Sequence, residues 1–186
     1  MAAEEGAAGD RSYLYLPKSL NRPRNANPPP LPPRLSWTTE PFTEPAEIVG
    51  PPRLRLCASS SAVDTDWIVK LQDVAPDGTA RNLTQGWLRA SHRALDPARS
   101  TPYRPEHPHD RAEALTPNEI TWFEIAILPT AHHFRAGHRL RLALASADDD
   151  GFAMQGMTHT GLGMPARNRI LSASQLIVPT IPGKTG

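Results

Sequence analysis

The sequence has little cysteine and almost no net charge. Cys57 is the single cysteine in 186 residues, which excludes an internal disulfide. Nineteen acidic residues against 20 lysines and arginines leave a formal net charge of +1. A balance so close to zero gives no electrostatic footprint for nucleic acid or for an anionic membrane surface. We therefore expect neither of them as a partner.

Long apolar runs are also missing. No stretch reaches the roughly 18 apolar residues that a membrane-spanning helix requires. The first ten residues, MAAEEGAAGD, carry acids where a secretory signal carries Lys or Arg, and no apolar segment of signal length follows them. These absences predict a cytoplasmic protein.

The motif of an α/β-hydrolase nucleophile is absent as well. Such a serine stands on a tight turn written G-x-S-x-G, and none of the 12 glycines has these neighbours. Ser59, Ser60 and Ser61 follow a predicted strand with nothing beside them that would activate a hydroxyl, so structural or turn roles are favoured. The residues predict no catalytic group and no hydrolase activity for the isolated chain.

Proline, by contrast, is abundant and unevenly placed. Of 21 prolines, 11 lie between Pro17 and Pro52. Proline cannot donate a backbone hydrogen bond and fixes φ, so this stretch predicts an extended connector. We divide the chain into a disordered tail at residues 1–11, a short strand with a proline-rich connector at 12–34, and a domain at 35–183. The strand candidate within the second segment is Tyr13 to Leu16.

Alternation with a period of two dominates the rest of the chain. Leucines alternate with arginines from Arg53 to Leu56 and from Arg139 to Leu142, which predicts strands with one buried face. Trp67 to Val74 and Ile120 to Leu128 add strands rich in β-branched and aromatic residues. Only the short Ser91 to Arg99 approaches a helical pattern. The whole predicts an all-β sandwich of about eight antiparallel strands without internal repeats.

Turn signals separate these strands. Pro76-Asp77-Gly78 predicts a hairpin turn, because proline sets φ at its start and glycine accepts the left-handed position. Pro117-Asn118 and Ala136-Gly137 punctuate the chain in the same way.

Two kinds of cluster raise the question of a metal. His107 and His109, His132 and His133, and the separate His92 and His138 are candidate zinc ligands, but neighbouring histidines of an extended chain diverge and the loops offer no thiolate. Asp148-Asp149-Asp150-Gly151 suits calcium less well than it suits a turn after a strand. We predict no metal and no cofactor.

Several segments together resemble one known family. They cover most of Leu35 to Pro182 and read, in order, LSWTTEPFTEPAEIVGPPRLRL, DTDW, DVAPDG, GWLRASHRALDPARSTPYRP, LPTAHHFRAGHRLRL and SQLIVPTIP. This order resembles the C-terminal, non-catalytic domain of the CocE/NonD serine hydrolases, which include X-Pro dipeptidyl-peptidase-like and cocaine-esterase-like enzymes. The resemblance implies a jelly-roll-like, galactose-binding-like β-sandwich behind a proline-rich connector. The segment Asp148 to Gly163 departs from the family pattern.

The resemblance also implies a role. In such enzymes the catalytic Ser, Asp and His belong to an α/β-hydrolase domain that this sequence does not contain, so no catalytic residue is carried over. The chain is expected to serve as the accessory domain of a hydrolase of esters, amides or X-Pro peptides. Its expected partners are that catalytic domain and, in a homodimer, a second copy of itself. The candidate interface or cleft residues are Trp87, His92, Tyr103, His107 and His109.

A free-standing module that binds carbohydrate or protein is the alternative. Exposed aromatics on a β-sandwich serve such modules, but four tryptophans do not make a platform. We place Trp67 and Trp122 in the core. A docking domain should instead expose a broad apolar face, which we expect from the Tyr13 to Leu16 strand, the connector and the segment Trp87 to Tyr103.

Overall fold

The computed structural model describes residues 4–5, 9–17, 33–147 and 164–181. Most of the predicted connector and the segment Asp148 to Gly163 with its aspartate run lie outside the described residues. The strands of the described part are β1 (Glu4–Glu5), β2 (Arg11–Tyr15), β3 (Arg34–Thr38), β4 (Ala46–Gly50), β5 (Arg53–Ser60), β6 (Asp66–Val74), β7 (Ala80–Arg89), β8 (Thr121–Ala126), β9 (Thr130–Phe134), β10 (Arg139–Ala145), β11 (Ala166–Ile170), β12 (Gln175–Ile177) and β13 (Thr180–Ile181).

These strands form three antiparallel sheets. The first sheet has the order β1-β2-β11-β5-β12, with β8 on the free side of β5. The second has the order β3-β10-β6-β7, and the third, smaller sheet has the order β13-β4-β9. The predicted all-β sandwich is confirmed, although the described residues contain more strands than the expected eight, because several are short.

The core lies between the first two sheets. Leu54, Leu56 and Phe123 point inward from the first sheet, and Trp67 and Val69 from the second; all are almost fully buried. The rings of Trp67 and Phe123 lie 5.4 Å apart in a tilted arrangement. The alternation read from the sequence therefore assigns these inward residues correctly.

The prediction that Trp122 lies in the core is wrong. It lies on the outward face of β8, where its side chain is 44% exposed and the Arg55 guanidinium lies 4.5 Å above the ring centre. Successive side chains of a strand point to opposite faces. Because Phe123 points inward, its neighbour Trp122 must point outward. Cys57 lies on the same face of β5 as Arg53 and Arg55, yet it is buried. Ser174 lies against it and accepts a hydrogen bond from the Cys57 N–H at 3.0 Å. Burial raises the pKa of the Cys57 thiol.

The N-terminal strand also differs from its expected role. Tyr13 and Tyr15 are only 5% and 4% exposed and belong to the core, so they are not part of an exposed docking face. Asp10 is buried too; its carboxylate accepts hydrogen bonds from Arg169 at 2.7 Å and from the Ser172 N–H at 2.9 Å. Asp10 lies within the segment 1–11 that we predicted as a tail.

A buried polar cluster ties this strand to the sandwich. The hydroxyls of Tyr13 and Ser146 are 2.7 Å apart, and the Asn168 amide nitrogen lies 2.9 Å from Ser146, 3.0 Å from Thr65 and 3.3 Å from the Tyr13 oxygen. Burial raises the pKa of Tyr13 to about 12, so its hydroxyl stays protonated. The cluster joins β2, β11, the end of β10 and the segment before β6.

The predicted turns are confirmed. Gly78 has φ of +86°, and its N–H donates to the Ala75 carbonyl at 2.9 Å, while Asp77 accepts from the Thr79 N–H at 2.8 Å. Asn118 and Gly137 also take left-handed conformations, with φ of +66° and +84°.

A carboxylate between two histidines connects the second and third sheets. Asp73 of β6 contacts His132 Nε2 of β9 at 3.0 Å and His138 Nδ1 at 2.8 Å. His133 turns away toward Glu47, 3.2 Å distant, so the adjacent histidines diverge as expected. Among the described residues, no group of three or more His, Cys, Asp or Glu side chains has the geometry to hold a metal ion. The same part of the chain contains no helix long and apolar enough to cross a membrane.

Candidate functional site

The segment between β7 and β8 carries four of the five candidate residues, three of them within one loop. It begins with a single 3-10 turn at Ala90–His92, which is all the helix that the described part of Ser91 to Arg99 contains. We call residues 93–111 the interface loop. Prolines at 97, 102, 105 and 108 interrupt any helix or ladder here, so the chain folds back on itself in tight turns.

Hydrogen bonds close the base of this loop. The Asp96 N–H donates to the Glu106 carbonyl at 2.8 Å, and the Glu106 N–H donates to Ser100 Oγ at 3.0 Å. The Asp96 carboxylate accepts from the Ala98 N–H at 2.9 Å, an Asx turn of the kind that aspartate favours. The loop is therefore a closed, internally bonded unit.

His107 attaches the interface loop to the first sheet. Its Nδ1 lies 3.0 Å from the Ala94 carbonyl oxygen and its Nε2 lies 2.9 Å from the Glu124 carbonyl oxygen. Glu124 belongs to β8, the edge strand beside β5, whose outer carbonyls have no further strand to pair with in the described sheet. The imidazole thus occupies a place that a neighbouring strand would otherwise take.

Two further histidines pack around His107. The ring centres of His107 and His109 are 6.0 Å apart, and those of His109 and His92 are 5.4 Å apart. Desolvation, with smaller contributions from His107 and His92, lowers the pKa of His109. His109 also takes a left-handed φ of +55°, and His92 Nδ1 is buried without a hydrogen-bond partner among the described residues. We call these three residues the histidine cluster.

The apolar side chains of the interface loop face outward. Tyr103 is 69% exposed and Leu95 is 42% exposed, although the loop is held firmly at its base. Trp87 lies apart from the loop on β7, where it is half-buried opposite Ile68 in the ladder with β6. The structure therefore brings His92, His107 and His109 together, puts Tyr103 on the same loop, and places Trp87 on the second sheet.

Two aspartates that we did not single out support the start of the loop. Asp64 accepts hydrogen bonds from the Ser91 N–H at 2.8 Å and from Ser91 Oγ at 2.7 Å. Asp66 forms an ion pair with Arg89 at 3.0 Å, and this carboxylate is almost completely buried. The segments DTDW and GWLRASHR, both part of the resemblance, thus interlock in space. The joint occurrence of these two segments in the sequence was the signal that could have predicted this contact.

The ion pair also affects the arginine. Its hydrogen bond with Asp66 raises the pKa of Arg89, so the guanidinium stays charged. Together the two aspartates fix where the 3-10 turn begins and hence where the histidine cluster lies.

Residues 16–175 match the family model of the X-Pro dipeptidyl-peptidase C-terminal non-catalytic domain. The chain belongs to this family. A putative serine esterase of Mycobacterium bovis is 37% identical over 125 residues, which cover 64% of this chain and 20% of the relative. The cocaine esterase of a Rhodococcus species is 36% identical over 114 residues, or 61% of this chain and 18% of the relative. The matching segments thus span about a fifth of these curated relatives.

Solved structures show the same fold. A CocE/NonD family hydrolase from Staphylococcus aureus superimposes with a TM-score of 0.70 at 22% identity, over 97% of this chain and 34% of that one. An α-amino acid ester hydrolase gives a TM-score of 0.63 at 21% identity, over 96% and 34%. In each case the match covers about a third of a longer hydrolase chain. The described residues therefore form the non-catalytic β-sandwich of this family.

Proposed function

We propose that this chain acts as the accessory β-sandwich of a CocE/NonD-type serine hydrolase, beside an α/β-hydrolase domain that supplies the Ser, His and Asp triad. The observation that carries the proposal is the match of residues 16–175 to a family described as non-catalytic. Relatives named serine esterase and cocaine esterase support ester substrates for the assembled enzyme, and the X-Pro dipeptidyl-peptidase family match supports the amide bonds of X-Pro peptides. The division into a tail, a connector to residue 34 and a domain at 35–183 belongs to this proposal.

The interface loop is the part that contacts the catalytic domain. Its exposed Tyr103 and Leu95 offer apolar contact area, and tyrosine is among the residues enriched at protein interfaces. The closed base and the His107 anchor fix the loop before it binds, which reduces the ordering entropy lost on association. His92 and His109, whose rings are 5.4 Å apart, lie at the two ends of the interface loop, and we include them in this contact.

The chemistry of the described residues supports an inactive isolated chain. Ser91 Oγ donates to the Asp64 carboxylate and not to a histidine, so no Ser–His pair of the hydrolase type is formed there. We expect no turnover of p-nitrophenyl butyrate or of an X-Pro chromogenic dipeptide by the purified chain.

Complementation in trans tests the proposal. The cocaine esterase of Rhodococcus, with the segment that matches this chain deleted, is co-expressed with the tagged chain, and both co-purification and p-nitrophenyl butyrate hydrolysis are measured. We expect capture of the truncated esterase and recovery of activity. Tyr103→Ala should weaken capture at least tenfold, since a central interface tyrosine typically contributes about 2 kcal/mol.

A matched control keeps the test specific. Val49→Ala removes an exposed apolar side chain, 45% against 69% for Tyr103, from β4 in the third sheet and should leave capture unchanged. An equal loss of capture in both variants would show that the interface loop has no special role in binding. A chain that captures no hydrolase domain but is retained on immobilised glycans would favour the free-standing binding module. Light scattering after size exclusion measures whether a homodimer also forms.

A further inference from the structure

An apolar cleft opens between the two main sheets, on the side of β3 and β12. Its volume is about 450 Å³. The walls are branched aliphatic side chains from both sheets, namely Leu54, Leu56, Ile170, Leu176, Leu140 and Leu144. Trp37 of β3 closes one side, and none of the described lining residues carries a charge.

The cleft is partly open to solvent, whereas most of a sandwich interior packs as densely as an organic crystal and has few voids larger than a water molecule. Natural ligand pockets run from about 300 to 1,000 Å³ and are mostly apolar with a few polar groups that orient the ligand. The cleft falls within that range, and its walls are poor partners for water.

The polar residues of the lining are Thr38, Thr39, Ser172 and Ser174, of which the first three are exposed. The Thr39 hydroxyl accepts a hydrogen bond from the Leu140 N–H at 3.1 Å. A threonine hydroxyl has one donor and two acceptor sites, so its O–H remains to donate. Ser174, also in the lining, already donates to the carbonyls of Cys57 and Leu171 and accepts from the Cys57 N–H. Thr38 accepts a hydrogen bond from Arg141 Nε at 3.0 Å, whereas the exposed Thr39 offers its donor beside the aliphatic wall.

We propose that this cleft binds an uncharged, mainly aliphatic small molecule whose one oxygen acceptor receives the Thr39 hydroxyl. The absence of charge in the described lining disfavours a carboxylate or an amine, since a charge left unpaired in an apolar space is costly. The site is independent of the proposed function, because no residue of the interface loop lines it.

Displacement of a neutral fluorophore tests the site. N-phenyl-1-naphthylamine is titrated into the purified full chain and then displaced by hexanol, octanol and decanol. We expect saturable binding and a displacement constant that improves about fourfold for each added methylene until the cleft is filled. Decanoate at pH 8 should compete less well than decanol. Tighter binding of decanoate would overturn the uncharged ligand class.

Filling the cleft supplies the decisive variants. Leu142→Trp replaces a half-buried leucine of the lining with a larger side chain, and Leu176→Trp does the same on the opposite wall. We expect at least tenfold weaker fluorophore binding in a variant whose melting temperature is kept. Leu128→Trp, at an exposed position outside the lining, is the matched control and should bind as the wild type does. Absence of saturable binding, or equal affinity in the wild type and both filled variants, would overturn the proposal.

Discussion

The buried polar cluster and the histidine cluster show two ways in which polar side chains serve one fold. Around Asn168, side chains bond to one another inside the core and hold several strands together. Around His107, the two ring nitrogens lie within 3.0 Å of backbone carbonyl oxygens, and the ring holds one loop against a sheet edge while Leu95 and Tyr103 remain outside. The first arrangement fixes the sandwich, while the second presents a surface.

The comparison separates two classes of substitution. A change in the sandwich should lower the global free energy of unfolding, because those contacts exist only when both sheets are assembled. A change in the interface loop should open that loop and weaken partner binding while the sandwich persists, since stability is not uniform across a structure.

Gly86→Ala should have the largest effect. A Cβ at this position would lie 2.2 Å from the Ala126 carbonyl oxygen and 3.0 Å from the Ile127 Cα, both of them backbone atoms. Strand β7 and the end of β8 would have to separate, and overpacking of this kind costs about 3 kcal/mol. Urea unfolding of both proteins measures the difference.

The matched control is Gly78→Ala, where no atom lies within 4 Å of the new Cβ but φ is +86°. This variant should lose only about 1 kcal/mol, through left-handed strain. A Gly86→Ala protein as stable as Gly78→Ala would contradict the close approach of the two strands.

Asn168→Ala tests the buried polar cluster and should rank second. The change leaves Tyr13, Ser146 and Thr65 without the amide donor, and buried polar groups that lose their partner cost about 1–3 kcal/mol. We expect a loss of about 2 kcal/mol in urea unfolding. Asn82→Ala, which breaks a part-buried bond to Gln72, is the control and should cost less than about 1 kcal/mol. Equal losses would mean that the cluster adds nothing to the sandwich.

The same contrast explains what the sequence predicts well. Alternation in β5 and β10 assigned the inward leucines, because the period of a strand is local and one face must be buried. The turn at Pro76 to Gly78 was predictable because the conformational preferences of proline and glycine are also local. The contacts among His92, His107 and His109 were not predictable, although these residues were singled out, because tertiary packing decides which rings meet. The contact of Asp64 with Ser91 joins residues 27 positions apart and has no local pattern.

His107→Ala should separate the two regions most clearly. The ring loses both carbonyl partners, so the segment 94–107 should exchange its amide hydrogens at least tenfold faster, while β6 keeps its protection. A lost net contribution of about 1 kcal/mol lowers the melting temperature of a chain of this size by about 2–4 °C. Hydrogen exchange followed by mass spectrometry measures both regions in one experiment.

His133→Ala, which removes an exposed histidine paired with Glu47, is the control for His107→Ala. It should leave exchange in the segment 94–107 unchanged and lower the melting temperature less, since exposed ion pairs contribute about 0–1 kcal/mol. Uniformly faster exchange across β6 after His107→Ala would show that the loop and the sandwich unfold together.

The smallest expected effect is a pH dependence from His109. Its pKa in the folded chain is lowered from the ordinary value of 6.5, chiefly by desolvation. As the pH falls below about 6.5, the unfolded chain therefore takes up a proton before the folded chain does. The stability that His109 contributes is present above that pH and is lost as the pH falls toward the folded pKa.

His109→Asn removes this titration while keeping a residue that tolerates the left-handed φ of +55°. Between pH 7.5 and pH 5, its melting temperature should therefore fall less than that of the wild type. The difference should be smaller than the change expected for His107→Ala, because His109 is exposed and solvent screens its neighbours. Identical slopes for the two proteins would mean that desolvation does not lower the pKa of His109.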